Sequence, residues 1–127
     1  MTRHIDKPAL ELLRASWRGD SDQIEAARAA LEVSPGRARG RVAGWAITRA
    51  VEGLRRWSRR GFRAGETGAE PTPHERSVLA VCEALREGDL DLARQYARWL
   101  VSNDGLDRFI ERISPAAPIL AKAARAA

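Results

Sequence analysis

Apolar residues recur three and four positions apart along most of this chain, and this spacing constrains the fold more than any other feature of the sequence. Side chains three and four positions apart share one face of an α-helix, whereas a β-strand brings alternate residues to one face. β-Branched and aromatic residues show no sustained alternation with polar ones. The sequence therefore predicts an all-α protein.

Two Gly-Asp pairs mark turns between helices. Gly19 precedes Asp20 and Gly88 precedes Asp89, with apolar periodic segments on both sides of each pair. Glycine commonly ends a helix because it adopts the left-handed conformation without strain, and an aspartate side chain accepts hydrogen bonds from the free amides that begin the next helix. The two pairs predict two helical hairpins.

A further helix boundary lies at Thr72-Pro73. Thr72 can cap a helix, Pro73 suits its first turn, and Glu75 stands at the third position of a capping box. The residues that lead up to this boundary are rich in glycine, glutamate, threonine and proline. We expect residues 61–73 to be a solvated loop.

The length of 127 residues suits one compact domain. We expect a single-domain bundle of about five to seven helices over residues 1–113. Ser114-Pro115 interrupts the periodicity, and the alanine-rich residues 114–127 are predicted to be a tail or a short docked helix. The helix that follows Asp89 is apolar around more than half of its circumference, so we expect it to be central. Its apolar residues are Leu90, Leu92, Ala93, Tyr96, Ala97, Trp99, Leu100 and Val101.

Positive charge is concentrated in one segment, which includes the third predicted helix (residues 38–60). The chain has 22 basic residues, all arginine except Lys7 and Lys122, against 17 acidic ones, and its net charge is +5. Residues 37–63 contain nine arginines and one acid, Glu52, a local net charge of +8 against −3 for the rest. A genomic drift to arginine would not by itself leave the flanking regions acidic. The concentration indicates an anionic partner.

The third predicted helix separates an apolar face from an arginine face. Trp45 lies on the arginine face, one turn after Arg41 and one turn before Arg49, so the three side chains are expected to stack along the helix. Gly40 and Gly44 are expected to let a partner approach the backbone closely. An exposed indole between guanidinium groups can lie against a base or sugar while the arginines bind phosphates.

These features predict a small nucleic-acid-binding protein, for DNA or RNA, that contacts phosphates without strong sequence specificity. The arginine face lacks the Asn, Gln and Ser residues that usually read base edges. The expected contact residues are Arg37, Arg39, Arg41, Trp45, Arg49, Arg55, Arg56, Arg59, Arg60 and Arg63. With one basic helix, the protein is expected to act as an accessory subunit of a nucleoprotein complex, with other protein subunits or as a homo-oligomer. The alternative is a protein–protein adaptor or inhibitor that sets the same face against an acidic partner surface, with Trp45 as the buried anchor.

The other candidate residues indicate no catalytic or metal site. Cys82 lies in the apolar stripe of the fourth predicted helix, which is typical of a core residue, and a single cysteine forms no internal disulfide. His4 and His74 are the only histidines, and neither resembles a positioned general base. Without zinc-ligand spacing or a phosphate-binding loop, we expect no metal, no cofactor and no enzymatic activity. No apolar run has the length of a membrane span or a signal peptide, so we expect a cytoplasmic protein that does not bind membranes.

Overall fold

The computed structural model of the chain describes residues 7–59 and 61–125, and over these residues the protein is an all-α helical bundle, as the periodicity predicts. The α-helices are α1 (Pro8–Arg18), α2 (Ser21–Val33), α3 (Arg37–Trp57), α4 (Pro73–Arg86), α5 (Leu90–Ala97), α6 (Leu106–Ile113) and α7 (Ala117–Arg125). Single 3₁₀ turns, Asn103–Gly105 and Ser114–Ala116, precede α6 and α7. The prediction of a bundle with one long arginine-rich helix, α3, is confirmed.

Both Gly-Asp turns form as predicted. Gly19 and Gly88 have φ angles of 71° and 78°, the left-handed conformation that a side chain would strain. The Asp20 carboxylate accepts from the Gln23 amide at 3.2 Å, and the carboxylate of Asp89 caps α5 in the same way. The two turns therefore join α1 to α2 and α4 to α5 as helical hairpins.

The capping box at the start of α4 is also confirmed. The Glu75 amide donates to Thr72 Oγ1 at 3.1 Å, and the Glu75 carboxylate accepts from the Thr72 amide at 2.9 Å. Pro73 occupies the first turn, where its missing N–H leaves no helical hydrogen bond unmade.

The long helix α3 contributes ten buried residues to the bundle. It packs against α1 and α2 on one side and against α6 on another, while α4 packs against α5 and α7, and α7 returns to contact α1. The buried side of α3 includes Ile47, Val51 and Leu54, each at most 2% exposed. One connected apolar core joins these residues to side chains from all seven helices.

The expectation that the fifth helix is central was wrong. The helix ends at Ala97, buries only Ala93 and Ala97, and packs against α4 and α6 alone among its larger contacts. Leu90 is 47% exposed and Tyr96 is 37% exposed. The prediction was wrong because a helical wheel assumes a continuous helix through residues 98–101, whereas α5 ends at Ala97.

The third helix ends at Trp57 rather than at residue 60. Ser58 adopts an extended conformation and pairs with Val101 in an isolated antiparallel bridge. The Arg59 amide donates to the Leu100 carbonyl at 3.2 Å, so backbone hydrogen bonds to residues 100–102 replace a further helical turn. Arg59 therefore leaves the predicted helix face.

A buried ion pair joins α1 to α4. Arg14 and Glu75 are both 0% exposed, and the guanidinium donates through Nε and one Nη to the two carboxylate oxygens at 2.9 and 3.0 Å. Burial alone would raise the pKa of Glu75, but hydrogen bonds from Arg14, Gly65 and Thr72 outweigh it and hold this pKa below its usual value. Burial would likewise lower the pKa of Arg14, and its carboxylate partners raise that pKa instead.

This ion pair also fixes the connection between α3 and α4. The Gly65 amide donates to Glu75 at 2.9 Å, and Arg14 donates to the carbonyls of Ala69 and Glu70 at 2.8 and 3.2 Å. Residues 66–70 are exposed, but Phe62 and Gly65 are buried, which differs from the expectation of a solvated loop over residues 61–73. The loop is held because the buried arginine has more donors than Glu75 alone can satisfy.

Candidate nucleic-acid interface

The outward face of α3 carries a row of side chains that we call the α3 stripe: Arg41, Trp45, Arg49 and Arg56. The apolar residues of α3 other than Val42 mostly turn inward, so the helix period leaves Arg41, Trp45 and Arg56 exposed and Arg49 half-buried, with the exposed Glu52 in the same row. Trp45 is 55% exposed, and the Arg49 guanidinium carbon lies 4.8 Å from the centroid of its ring. That distance is typical of a cation–π contact.

Arg41 does not complete the expected stack on Trp45. Its Nε donates to the Glu32 carboxylate on α2 at 3.0 Å, although the Arg41 side chain remains 62% exposed. Glu25, Glu32 and Arg28 line a groove of about 420 Å³ between α2 and α3, on one flank of Trp45. The surroundings of the indole are therefore of mixed charge on the α2 side.

Arg55 has a structural task within the bundle. One Nη donates to the carbonyls of Ser16 and Trp17 at the end of α1, and the guanidinium carbon lies 4.8 Å from the centroid of the Trp17 ring. A cation at this position also suits the negative end of the α1 dipole. Arg55 is exposed, but part of its hydrogen-bonding capacity is already used.

The remaining predicted contact residues lie at the two ends of α3. Arg37 and Arg39 occupy its exposed first turn, and Arg39 lines a shallow groove with Pro118 rather than standing beside Trp45. Arg59 and Arg63 are exposed in the connection after α3, and Arg59 Nε donates to the Val101 carbonyl at 3.1 Å. Arg60 lies outside the described residues.

Several of these arginines have guanidinium groups free for a ligand. The side chains of Arg41, Arg55 and Arg59 already donate hydrogen bonds to other residues of the protein. The others have no side-chain hydrogen bond or ion pair to any residue that the structure describes: Arg37, Arg39, Arg49, Arg56 and Arg63. Because a guanidinium has five N–H donors in a planar fork, each can engage a phosphate bidentately.

The expectation that Gly40 opens the backbone to a partner was wrong. A Cβ atom built on Gly40 would lie 2.2 Å from the Leu31 carbonyl oxygen, because α2 crosses α3 there. Gly44 is buried beside Leu12 and Arg28. The space beside Gly40 is therefore used inside the bundle, whereas Gly44 lines the groove next to Trp45 and has room for a Cβ atom.

Sequence reasoning missed a second cationic and aromatic surface, which we call the Trp99 groove. It lies between the end of α3, the start of α4 and the turn after α5, and its volume is about 630 Å³. Its walls include Arg59, Phe62, His74, Ser77, Arg98 and Trp99. Trp99 is 77% exposed, more than any other aromatic side chain in the described part of the chain. The adjacent residues Arg98 and Trp99 could have indicated this cationic and aromatic surface, but both fall in the segment that the sequence predicts to be a central helix.

The other candidates have structural surroundings. Cys82 is 0% exposed, and burial raises the pKa of its thiol, as a core residue would show. His74 stacks on Phe62 and accepts at Nδ1 from the Arg63 amide at 2.7 Å, and His4 lies outside the described residues. Residues 7–59 and 61–125 contain no group of three or more acidic, His or Cys residues that could hold a metal ion. No helix among them is both long and apolar enough to span a membrane.

Comparison with protein-family models, curated proteins and solved structures found no match to this chain. Function is therefore inferred from the chain's own side chains.

Proposed function

We propose that the protein binds the sugar–phosphate backbone of nucleic acid through the α3 stripe, without strong sequence specificity. The observation that carries this proposal is the pairing of Trp45, a half-exposed indole, with the Arg49 guanidinium 4.8 Å from its ring on an arginine-rich helix face. The indole offers a surface for a sugar or base, and the free donors of Arg49 and Arg56 suit phosphate oxygens.

The start of α3 supports an anionic ligand on the same helix. Arg37 and Arg39 stand at the positive end of the helix dipole, no acid lies in the first turn, and Gly36 provides no side-chain cap. Each cation at such a position is unfavourable by about 0.3 to 1 kcal/mol. Residues that destabilise their own helix are more often found at binding sites than elsewhere, so these two arginines favour a binding role for α3.

Binding to labelled duplex DNA, single-stranded DNA and RNA at 50 and 200 mM salt tests the proposal. If Arg49, Arg56 and the remaining donors of Arg41 each contact one phosphate, the affinity for duplex falls roughly 40-fold between these salt concentrations. Arg49→Glu should weaken binding at least tenfold and reduce the salt slope by about one, since it removes a phosphate contact. Trp45→Ala should weaken binding as well, by loss of the stacking surface.

Arg108→Glu on α6 is the matched control, because the substitution changes the net charge by the same amount as Arg49→Glu. Arg108 is exposed and has no ion pair to a described residue. The effect of Arg108→Glu should stay below about threefold, since the change removes none of the phosphate contacts assigned to the α3 stripe. Equal weakening by the α3 and α6 variants would show that the face is wrong. Absence of binding to all three nucleic acids at 50 mM salt would overturn the proposal.

A protein partner is the second candidate, because Glu25 and Glu32 line the groove on the α2 side of Trp45. These carboxylates repel phosphate but can accept hydrogen bonds from a protein. Glu32→Gln should tighten nucleic-acid binding, since it removes a negative charge and frees Arg41. Light scattering that reveals a dimer, dissociated by Trp45→Ala, would instead favour a protein–protein role for this face.

A further inference from the structure

The Trp99 groove combines an exposed aromatic ring, cationic walls and an apolar floor. Arg59 and Arg98 line it together with Trp99, and no carboxylate is among its described lining residues. Phe62 and Leu100, which are 7% and 4% exposed, form apolar surface within it. A volume of about 630 Å³ lies in the range of small-molecule sites. The lining therefore suits a ligand that is both planar and anionic.

The groove is held in shape by contacts that do not involve its exposed indole. The Trp99 amide donates to the Tyr96 carbonyl at 3.2 Å, and Arg59 is bound through its backbone to Leu100 and through its side chain to Val101. On the opposite wall, Phe62 stacks on His74 with ring centroids 5.6 Å apart. Trp99 is thus left as a platform on a fixed backbone rather than as part of the core.

The chemistry of these walls selects among ligands. Arg59 and Arg98 repel a cationic peptide and attract an anion, and an indole that is 77% exposed offers a face to a flat ring. His74 accepts at Nδ1 from the Arg63 amide, so the neutral ring carries its proton on Nε2, a donor available to an oxygen. Bases expose their faces only when they are unpaired, because a duplex keeps them stacked inside.

We propose that the Trp99 groove holds an unpaired base of single-stranded nucleic acid, stacked on Trp99, with Arg59 and Arg98 on the flanking phosphates. This inference rests on the proposed function, since it assigns to the same protein a preference for single strands. Arg56 of the α3 stripe stands only three residues before Arg59, so the groove begins where the stripe ends along the chain.

Three fluorescent probes test the groove: a 12-nucleotide oligothymidylate, an abasic strand with the same number of phosphates, and a duplex of 12 base pairs. Trp99→Ala should weaken binding of the oligothymidylate about 5- to 100-fold, the loss expected for one base–aromatic stack. The same variant should bind the abasic strand and the duplex within about twofold of wild type, because their phosphate contacts are unchanged. Trp99→Phe should retain part of the affinity.

Tyr96→Ala is the matched control, because Tyr96 is also exposed at 37% but does not line the groove. It should leave binding of all three probes unchanged. A second readout is the indole ¹H–¹⁵N signal of Trp99, assigned by its absence in Trp99→Phe, which should shift when the oligothymidylate is added. Thermal unfolding of each variant checks that the bundle is intact.

The outcomes separate this inference from the proposed function. If Trp99→Ala binds the oligothymidylate as wild type does while Arg49→Glu binds more weakly, the groove proposal is overturned and the role of the α3 stripe stands. If Trp99→Ala weakens binding and Arg49→Glu does not, the groove is the site and the stripe is not. If wild type binds no probe at 50 mM salt and the Trp99 signal does not move, both proposals are wrong.

Discussion

The buried Arg14–Glu75 pair predicts that Glu75→Gln lowers the free energy of unfolding by about 3 to 5 kcal/mol. Each carboxylate oxygen of Glu75 accepts from one Arg14 nitrogen and one backbone amide: Oε2 from Nε and Gly65, Oε1 from Nη2 and Thr72. Glutamine keeps a single acceptor oxygen. In either orientation its NH₂ group faces two donors, so one Arg14 N–H and one backbone N–H lose their acceptor.

The magnitude follows from the two lost hydrogen bonds and from the charge left behind. Hydrogen bonds to charged groups contribute about 1.5 to 3 kcal/mol each, so their loss agrees with the cost of breaking a buried pair. In this variant Arg14 would keep its hydrogen bonds to the Glu11 carboxylate and to the carbonyls of Ala69 and Glu70. These contacts keep the loss below that of a fully isolated charge.

Urea unfolding followed by circular dichroism at pH 7 measures this loss. Glu32→Gln is the control, because Glu32 pairs with Arg41 at 3.0 Å on side chains that are 37% and 62% exposed. Exposed pairs contribute about 0 to 1 kcal/mol. A loss under about 1 kcal/mol for Glu75→Gln, or equal losses for the two variants, would refute the inference that burial makes this pair important.

The difference in unfolding free energy between wild type and Glu75→Gln should decrease as the pH falls. The pKa of Glu75 is lower in the folded protein than its ordinary value of 4.5, so the carboxylate stabilises the fold fully above that value. The contribution disappears as the pH falls through the folded-state pKa. Glutamine does not titrate, so the gap between wild type and Glu75→Gln should be constant near neutral pH and should shrink below about pH 4.5. A gap that widens on acidification would contradict the assignment.

Three further predictions concern α3 and the core. Arg37→Glu should raise the free energy of unfolding in urea by about 1 kcal/mol, because it replaces a cation by an anion at the positive end of α3. Gly40→Ala should destabilise by about 1 to 3 kcal/mol in urea, since its Cβ would meet the α2 backbone, whereas Gly44→Ala, with its nearest contact at 3.7 Å, should stabilise by up to about 1 kcal/mol. Cys82 should resist a thiol reagent in the native protein and react fully in denaturant; rapid native labelling would contradict its burial.

Helix boundaries were predictable where the interactions that set them are local. An Asp20 or Thr72 cap involves residues only three positions apart, so the sequence contains both partners. The end of α3 at Trp57 was not predictable in this way. It depends on hydrogen bonds to residues 100–102, more than forty positions away.

The same difference explains the features that were missed. Glu75 was assigned to the capping box, and nothing local indicates that its carboxylate also binds Arg14, 61 positions away. Arg14 could have been noted as a charge among the apolar positions of α1, next to Leu13. Trp99 was placed in the core because a helical wheel assumes a continuous helix, and α5 ends at Ala97.

The positive charge of residues 37–63 is not uniformly available for binding. Arg55 holds the end of α1 and Arg59 holds Val101, so charge reversal at these positions would change stability together with affinity, whereas Arg49 and Arg56 make no such contacts. If all nine arginines met phosphates, the slope of log affinity against log salt on duplex would be about −8; the three arginines of the stripe predict about −3. The measured slope therefore distinguishes a general polycation effect from binding by one face of α3.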